Sequence, residues 1–382
     1  MKVLHIQNLQ GIGGSENYLI RILPALKNAG VDVACAVVFN RKRPGSRIEV
    51  EFFCDQLRSE GVEVHLLETT SYLSPSILRF LFRIWKQGFQ ILHSHLVYAD
   101  FWAACMRILS LGRIKSVSTI HGYRERYIQS HILKPEFMPR RLYWWVARFN
   151  QAISSKTYAC SEGLRNFYER AGFSAARDWP VIEHGFDFEE EGEVATKLGQ
   201  PQITFVGRLI QRKGVHLAIE AFEELLKSIP TARLVLVGRG EEEANLKNMV
   251  AEHNLEAHVT FIGFDPNPRS FMRISDLIWV PSYAEGLPLV IFEAFHCERP
   301  VVAFDTVGCR DLIQDGENGV LVPAFDTSAF AARSIDLLDN QEKATVMAAK
   351  GKAHLLGHYN LERMVADTVL FYQRMIGENE RL

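Results

Sequence analysis

Several things are missing from this 382-residue chain, and each absence narrows what it can be. Its six cysteines (35, 54, 105, 160, 297 and 309) form no Cys-x-x-Cys pair. That excludes the usual zinc spacing and a disulfide framework, and fits reduced thiols in the cytoplasm. No uncharged apolar run reaches the roughly 18–20 residues of a membrane span. The start, Met1 to Asn8, is interrupted by Gln7 and Asn8 too early for a secretory signal, so it reads as a first buried strand. There is no low-complexity stretch and no short internal repeat. The net charge of −2 excludes a uniformly basic nucleic-acid binder. Residues 1–180 nevertheless carry 24 Lys+Arg against 14 Asp+Glu, and residues 181–382 carry 19 against 31. The basic first half suggests an anionic partner, either a membrane surface or a phosphorylated acceptor.

What is present is an alternation of apolar strands and helical stretches. Strands are expected at 3–6, 31–39, 62–67, 91–94 and 117–120, with helices at 15–29, 49–60 and 75–87. A second series begins at 203–206 and continues with strands at 233–237, 259–262, 277–280 and 300–303. Its helices are expected at 215–227, 241–253 and 289–297. This rhythm predicts an α/β protein with parallel, doubly wound sheets. At this length two domains are expected, each burying its own core. Residues 175–180 have linker character, and 188–193 are an acidic run.

The most informative segment is Ala284-Glu285-Gly286-Leu287-Pro288-Leu289-Val290-Ile291-Phe292-Glu293. It sets two carboxylates eight residues apart around a Gly-Leu-Pro turn, after an apolar strand and before a helix. Loops at strand carboxyl ends are where open α/β sheets bind ligands, and a helix start offers free N–H groups. Arg208 and Lys213 fall in another such loop, in Phe205-Val206-Gly207-Arg208-Leu209 and Lys213-Gly214. Arginine grips phosphate in a fork, and lysine adds a mobile point charge. Arg212 between them reads as an exposed neighbour. His121 follows a strand and precedes Gly122. His93-x-His95 puts two imidazoles on one face of a strand, but only Asp100 lies near in sequence, so a metal site is not expected. Gly11-Ile12-Gly13-Gly14-Ser15-Glu16 fails the dinucleotide fingerprint, which needs glycine where Glu16 stands and an acid after the second strand, where Asn40-Arg41-Lys42 stands. Ser15 is expected to cap the following helix.

Taken in order across nearly the whole chain, these motifs resemble the retaining nucleotide-sugar glycosyltransferases of family 4 (glycosyl transferases group 1). They include the Glu-x7-Glu segment, Ile120-His121-Gly122 and the linker motif Val181-Ile182-Glu183-His184-Gly185-Phe186-Asp187. Two departures stand out. The linker motif, usually Asn-Gly-Val-Asp, reads His184-Gly185-Phe186-Asp187, and Asp311 replaces a common Glu after the turn near Gly308.

The resemblance implies the GT-B architecture, two Rossmann-like doubly wound domains facing a cleft. Residues 1–180 would form the acceptor-side domain, with the last helix (361–382) packing back on it, and 181–360 the nucleotide-sugar-binding domain. It implies transfer of a sugar from a nucleotide diphosphate donor to a hydroxyl acceptor, a glycan or glycolipid, in cell-surface polysaccharide or lipid-linked glycan synthesis. Glu285, His121, Arg208 and Lys213 would be catalytic. Gly13, Gly14, Arg208, Lys213, Gly286, Leu287, Leu289 and Glu293 would bind donor, with Glu293 on the ribose. The family's function also implies that no cofactor and no metal is needed, in keeping with the lack of any Asp-x-Asp. Two alternatives stay open: another GT-B enzyme such as a sugar-nucleotide epimerase, or a non-catalytic nucleotide-sugar-binding subunit. Helices at 76–87 and 139–149 combine Arg79, Arg83, Lys86, Arg140, Arg141 and Arg148 with aromatic neighbours, which suits either peripheral docking on the inner face of a membrane or plain cover for the sheet.

Overall fold

The structure is a computed structural model, and it describes residues 1–9, 11–42, 47–122, 142–187 and 194–377. The chain divides into two compact units. The first comprises residues 1–121, 136–186 and 360–382, and the second 122–135 and 187–359.

The first unit holds strands β1 (Lys2–Leu9), β2 (Asp32–Asn40), β3 (Glu63–Thr69), β4 (Ile91–His95), β5 (Lys115–Ile120) and β6 (Lys156–Ala159). They pair in parallel in the order β3-β2-β1-β4-β5-β6. The helices are α1 (Gly14–Asn28), α2 (Arg47–Ser59), α3 (Pro75–Trp85), α4 (Val97–Leu109), α5 (Leu142–Ile153) and α6 (Glu162–Arg170). Apolar residues of the sheet pack on both faces, as expected of a parallel sheet that helices cover on both sides. Val3, Val33, Cys35 and Val37 pack with Tyr18, Leu19 and Phe53 on the α1–α2 side. Leu4, Ile6, Ala34 and Ala36 pack with Ile77, Leu81 and Trp102 on the α3–α4 side.

The second unit repeats the plan. Its strands are β7 (Gln202–Val206), β8 (Arg233–Val237), β9 (Val259–Gly263), β10 (Leu277–Val280), β11 (Val301–Phe304) and β12 (Val320–Val322), in the order β12-β11-β10-β7-β8-β9. Its helices are α7 (Val215–Ser228), α8 (Glu243–Glu252), α9 (Arg269–Met272), α10 (Leu289–His296), α11 (Val307–Leu312), α12 (Thr327–Asp339) and α13 (Gln341–His358). Numbered within each unit, both sheets follow the order 3-2-1-4-5-6. Each therefore reverses direction between its first and fourth strands, β1/β4 in one and β7/β10 in the other. That reversal leaves a crevice at the carboxyl ends, where such sheets take ligands.

Three local expectations change. Residues 175–180 are not a linker: a 3-10 turn spans Ser174–Asp178, and Ala176 and Trp179 are buried. The change of unit comes at 186/187 instead of 180/181. Val181 bridges Ala159, Phe186 bridges Asn360, and Ile182 joins the first unit's core, so residues 181–186 are held there. Ser15 does not cap α1. Gly13 is the cap residue, and its N–H donates to the Glu16 carboxylate at 2.9 Å, while the Ser15 hydroxyl donates to the same carboxylate. The last helix, α14 (Leu361–Gly377), lies in the first unit, where Met364, Val365, Tyr372 and Met375 enter its core. Arg140, Arg141 and the acidic run 188–193 lie outside the described residues.

Candidate active site

In the second unit, the loops after β7 and β10 meet at the topological switch. Glu285 follows β10 and is buried. Lys213 Nζ donates to Glu285 Oε1 at 2.6 Å. Arg212 Nη1 donates to the Ala284 carbonyl at 3.1 Å and stands 3.8 Å from Glu285 Oε2. The Tyr283 N–H in turn donates to the Arg212 carbonyl at 3.1 Å. Arg212 is thus part of the cluster, contrary to the expectation of an exposed neighbour, with only 18% of its side chain exposed. Its guanidinium is held over the β10 loop by that carbonyl. Arg208 is exposed, and its charge still acts on Lys213.

Burial alone would raise the Glu285 carboxyl, but Lys213 and Arg212, with a hydrogen bond from Ser282, hold it below the usual carboxylate range. Lys213 is pushed down by burial, a shift that Glu285 opposes and the charges of Arg212 and Arg208 reinforce. We take the pair as ionised, because each charge has a direct partner and the one carboxylate faces two cations, Lys213 and Arg212.

Glycines make this packing possible. Gly214 has φ +66°, and a Cβ there would overlap the Pro281 carbonyl oxygen. It therefore lets the Lys213 loop lie directly on the end of β10. Gly308, in α11, would bring a Cβ within 2.7 Å of the carbonyl oxygens of Glu285 and Gly286. Gly286, Leu287, Pro288 and Leu289 are all buried, and α10 begins at Leu289. Glu293 sits one turn along α10, half-buried, beside Cys297, near which Arg273 and Arg269 also lie.

The first unit carries a different polar centre at its own switch point. His5 on β1 is in register with His93 on β4, and His95 lies two residues on, so all three share one face. His5 Nδ1 is 3.0 Å from His95 Nε2, and His95 Nδ1 is 2.9 Å from His121 Nε2. His93 bonds Tyr372 and Thr119 at 2.5 and 2.6 Å. Burial pushes His5 and His121 down to about 3 and His93 and His95 well below the usual range, so the rings are neutral. His184 is also buried; its ring lies 4.6 Å from Tyr18 and 5.4 Å from His121. Asp100, the carboxylate nearest His95 in sequence, instead accepts from Ser94 and Ser118 at 2.7 Å, and burial raises it to about 6. The loop after β1 is tied down by the Ile12 N–H, which donates to Glu49 at 2.8 Å. Gly13 and Gly14 follow at the start of α1.

Sequence reasoning thus placed Glu285, Lys213, Arg208 and His121 in loops at strand ends. It missed Arg212 as a partner, it missed His5 and Tyr372, and it named His184 only as a departure in the linker motif. One signal was available: His5 and Gln7 interrupt a strand that should otherwise be wholly apolar.

Comparison with known proteins follows the same division. The family model "Glycosyltransferase Family 4" matches residues 12–190, and "Glycosyl transferases group 1" matches 187–354. The chain belongs to the family 4, group 1 glycosyltransferases. Among relatives, it is 33% identical over 164 residues to the alpha-D-kanosaminyltransferase of Streptomyces kanamyceticus, covering 42% of each chain. It is 27% identical over 308 residues to the N-acetyl-alpha-D-glucosaminyl L-malate synthase of Bacillus anthracis, covering 77% of each. Against four of these relatives the match spans only about half of their length, 39–50%. The Anabaena HepE structure with UDP and glucose superposes with a TM-score of 0.79 at 20% identity, over 98% of this chain and 100% of that one. At that identity the likeness establishes the shared α/β two-domain fold.

Proposed function

We propose that this glycosyltransferase moves a sugar from a nucleotide diphosphate donor to a hydroxyl acceptor, with retention and without a metal. One observation carries the reading: two cations, Lys213 and Arg212, hold buried Glu285 at the switch point of the second sheet, and the charge of Arg208 in the same loop acts on Lys213. When the bond from the anomeric carbon to the diphosphate breaks, its electron pair goes to the phosphate oxygen. Arg208 and Lys213 are suited to hold that developing charge. Glu285 faces the sugar and offsets positive charge on its ring, and Glu293 accepts from the ribose hydroxyls. The buried turn Gly286 to Leu289 supplies further donor contacts. The acceptor oxygen then bonds to the anomeric carbon from the leaving-group face, and its proton passes to the departing phosphate. The fixed cations do the work a metal ion does elsewhere.

Structures of HepE in complex with UDP and with UDP-glucose support a nucleotide-sugar donor. A Staphylococcus aureus relative named as a poly(ribitol-phosphate) alpha-N-acetylglucosaminyltransferase supports a surface-glycan acceptor. The test is a panel of UDP-, GDP- and ADP-sugars with and without EDTA. Nucleotide release from one member, undiminished by EDTA and giving a product of unchanged anomeric configuration, is expected. Loss of activity with EDTA and its return with Mn²⁺ would overturn the metal-free reading, and an inverted product would overturn retention.

Among the described residues no helix is long and apolar enough to cross a membrane. On α3, Ile77, Phe80, Leu81 and Ile84 are buried against the sheet. Each contributes about 1.5–3 kcal/mol, whereas a basic residue gains about 1 kcal/mol at an anionic surface. Membrane docking, if it occurs, therefore leaves α3 in place and uses its outer face, with Arg79, Phe82, Arg83 and Lys86, and exposed Trp145 and Phe149 of α5.

A further inference from the structure

The polar centre of the first unit forms one unbroken hydrogen-bond chain. From His121 Nε2 it passes to His95 Nδ1 (2.9 Å), and from His95 Nε2 to His5 Nδ1 (3.0 Å). His5 Nε2 then meets the Tyr372 hydroxyl at 3.4 Å, the longest link. That hydroxyl bonds His93 Nδ1 (2.5 Å), and His93 Nε2 bonds the Thr119 hydroxyl (2.6 Å). His5, His93 and His95 offer nitrogens within 4.8 Å of one another, a grouping that could hold a metal. Yet all six of their ring nitrogens already have hydrogen-bond partners in the chain, so a metal would have to break it.

A neutral imidazole has one donor and one acceptor nitrogen, so, with the Tyr372 hydroxyl donating to one of its two histidines, the chain runs in one of two ways. Run from His121, all four histidines carry the proton on Nε2, and Tyr372 donates to His93. Run from Thr119, all four carry it on Nδ1, and Tyr372 donates to His5. The ends decide between them. His121 Nδ1 is buried and has no hydrogen-bond partner. In the first arrangement it is a bare lone pair; in the second it is a buried N–H without an acceptor, and orphan donors are the rarer and costlier case.

We propose that His95, His5, Tyr372 and His93 are positioning residues that fix His121 in its Nε2–H tautomer and present Nδ1 as an acceptor to a sugar hydroxyl. The hydroxyl donor rests on the function proposed above; the tautomer does not. The last helix thereby reaches the site through Tyr372, which lies 279 residues beyond His93 in sequence.

Long-range 15N–1H correlation spectra of the histidine rings in the full-length protein at neutral pH test this. The expected result is Nε2–H for His5, His93, His95 and His121. Tyr372→Phe removes the link between His5 and His93, and His121 should then populate both tautomers. Thr119→Val, nearly isosteric, removes the acceptor at the far end and should move His121 toward Nδ1–H; it serves if Tyr372→Phe fails to fold. In transfer assays either variant should lower kcat about five- to tenfold, one ordinary hydrogen bond, with nucleoside diphosphate affinity unchanged. A His121 that is Nδ1–H in the wild type, or wholly Nε2–H in both variants, overturns the proposal. So does stoichiometric Zn²⁺ binding that displaces the ring protons of His5, His93 and His95. Correct tautomers with no transfer from any nucleotide sugar would leave the chain standing and overturn the proposed function instead.

Discussion

The two units repeat one topology yet fill the same crevice with opposite chemistry. At the β7/β10 switch the second unit gathers charge, with Lys213 and Arg212 around Glu285. At the β1/β4 switch the first unit buries neutral imidazoles and phenols. A fold therefore supplies the location of a site, and side chains supply its task. Fixed cations suit a diphosphate that gains charge as it leaves; a neutral ring with one free nitrogen suits a hydroxyl. The contrast predicts different failures under acid, mutation and salt.

Acid should break the first unit first, and this is the largest effect. In the folded state His5 and His121 titrate near 3, against about 6.5 unfolded. Below pH 6.5 the unfolded chain therefore binds more protons than the folded one. Stability is full above pH 6.5 and falls as the pH drops toward 3, by about 1.4 kcal/mol per pH unit for each histidine titrating only when unfolded. Asp100, raised to about 6, works against this, because protonating it favours the fold below that pH. Amide hydrogen exchange should show β1 and β4 losing protection near pH 5 while β7 and β10 keep theirs. Equal loss in both sheets would break the comparison.

Mutation should break the second unit through its charges. Glu285→Gln leaves Lys213 and Arg212 buried without their carboxylate, a loss of about 3–5 kcal/mol by the usual cost of halving a buried pair. In the proposed function a diphosphate would compete with Glu285 for the same cations, so the variant should bind free nucleoside diphosphate at least as tightly as the wild type while transferring sugar more slowly. Thermal melts with and without nucleotide would show the deficit shrinking when ligand is present. A variant as stable as the wild type would contradict the pairing.

The smallest expected effect concerns the basic face of the first unit. Arg79→Glu/Arg83→Glu should reduce sedimentation with anionic vesicles at low salt, and 1 M salt, where the Debye length is about 3 Å, should abolish it. A wild type that ignores such vesicles would leave α3 and α5 as cover for the sheet alone.

Much of this was legible in the sequence because the signals are local. Strands β1, β2, β7, β8 and β10 are short apolar runs bounded by glycines or polar turns, and α1 and α7 show helical spacing. Glu285, Lys213 and Arg208 stand in short motifs whose chemistry does not depend on distant partners. Helix α4 was missed because it is apolar nearly all round, from Val97 to Leu109, and lacks a polar stripe to mark its period. Arg212 looked like any loop cation, since the Ala284 carbonyl that holds it is 72 residues away. The imidazole chain was illegible for the same reason: His5, His93, His121 and Tyr372 come from β1, β4, the end of β5 and α14, and only the folded sheet brings them together.

The central claim is a division of labour, with the diphosphate held by the charged loop of the second unit and the hydroxyl served by the neutral chain of the first. Calorimetric titration of the nucleoside diphosphate into wild type, Lys213→Ala and His121→Asn tests it most directly. Losing one charged hydrogen-bond donor is worth about 1.5–3 kcal/mol, so Lys213→Ala should weaken binding on the order of 10- to 100-fold, and His121→Asn should leave it unchanged. Wild-type affinity in Lys213→Ala, or an equal loss in His121→Asn, would contradict the account.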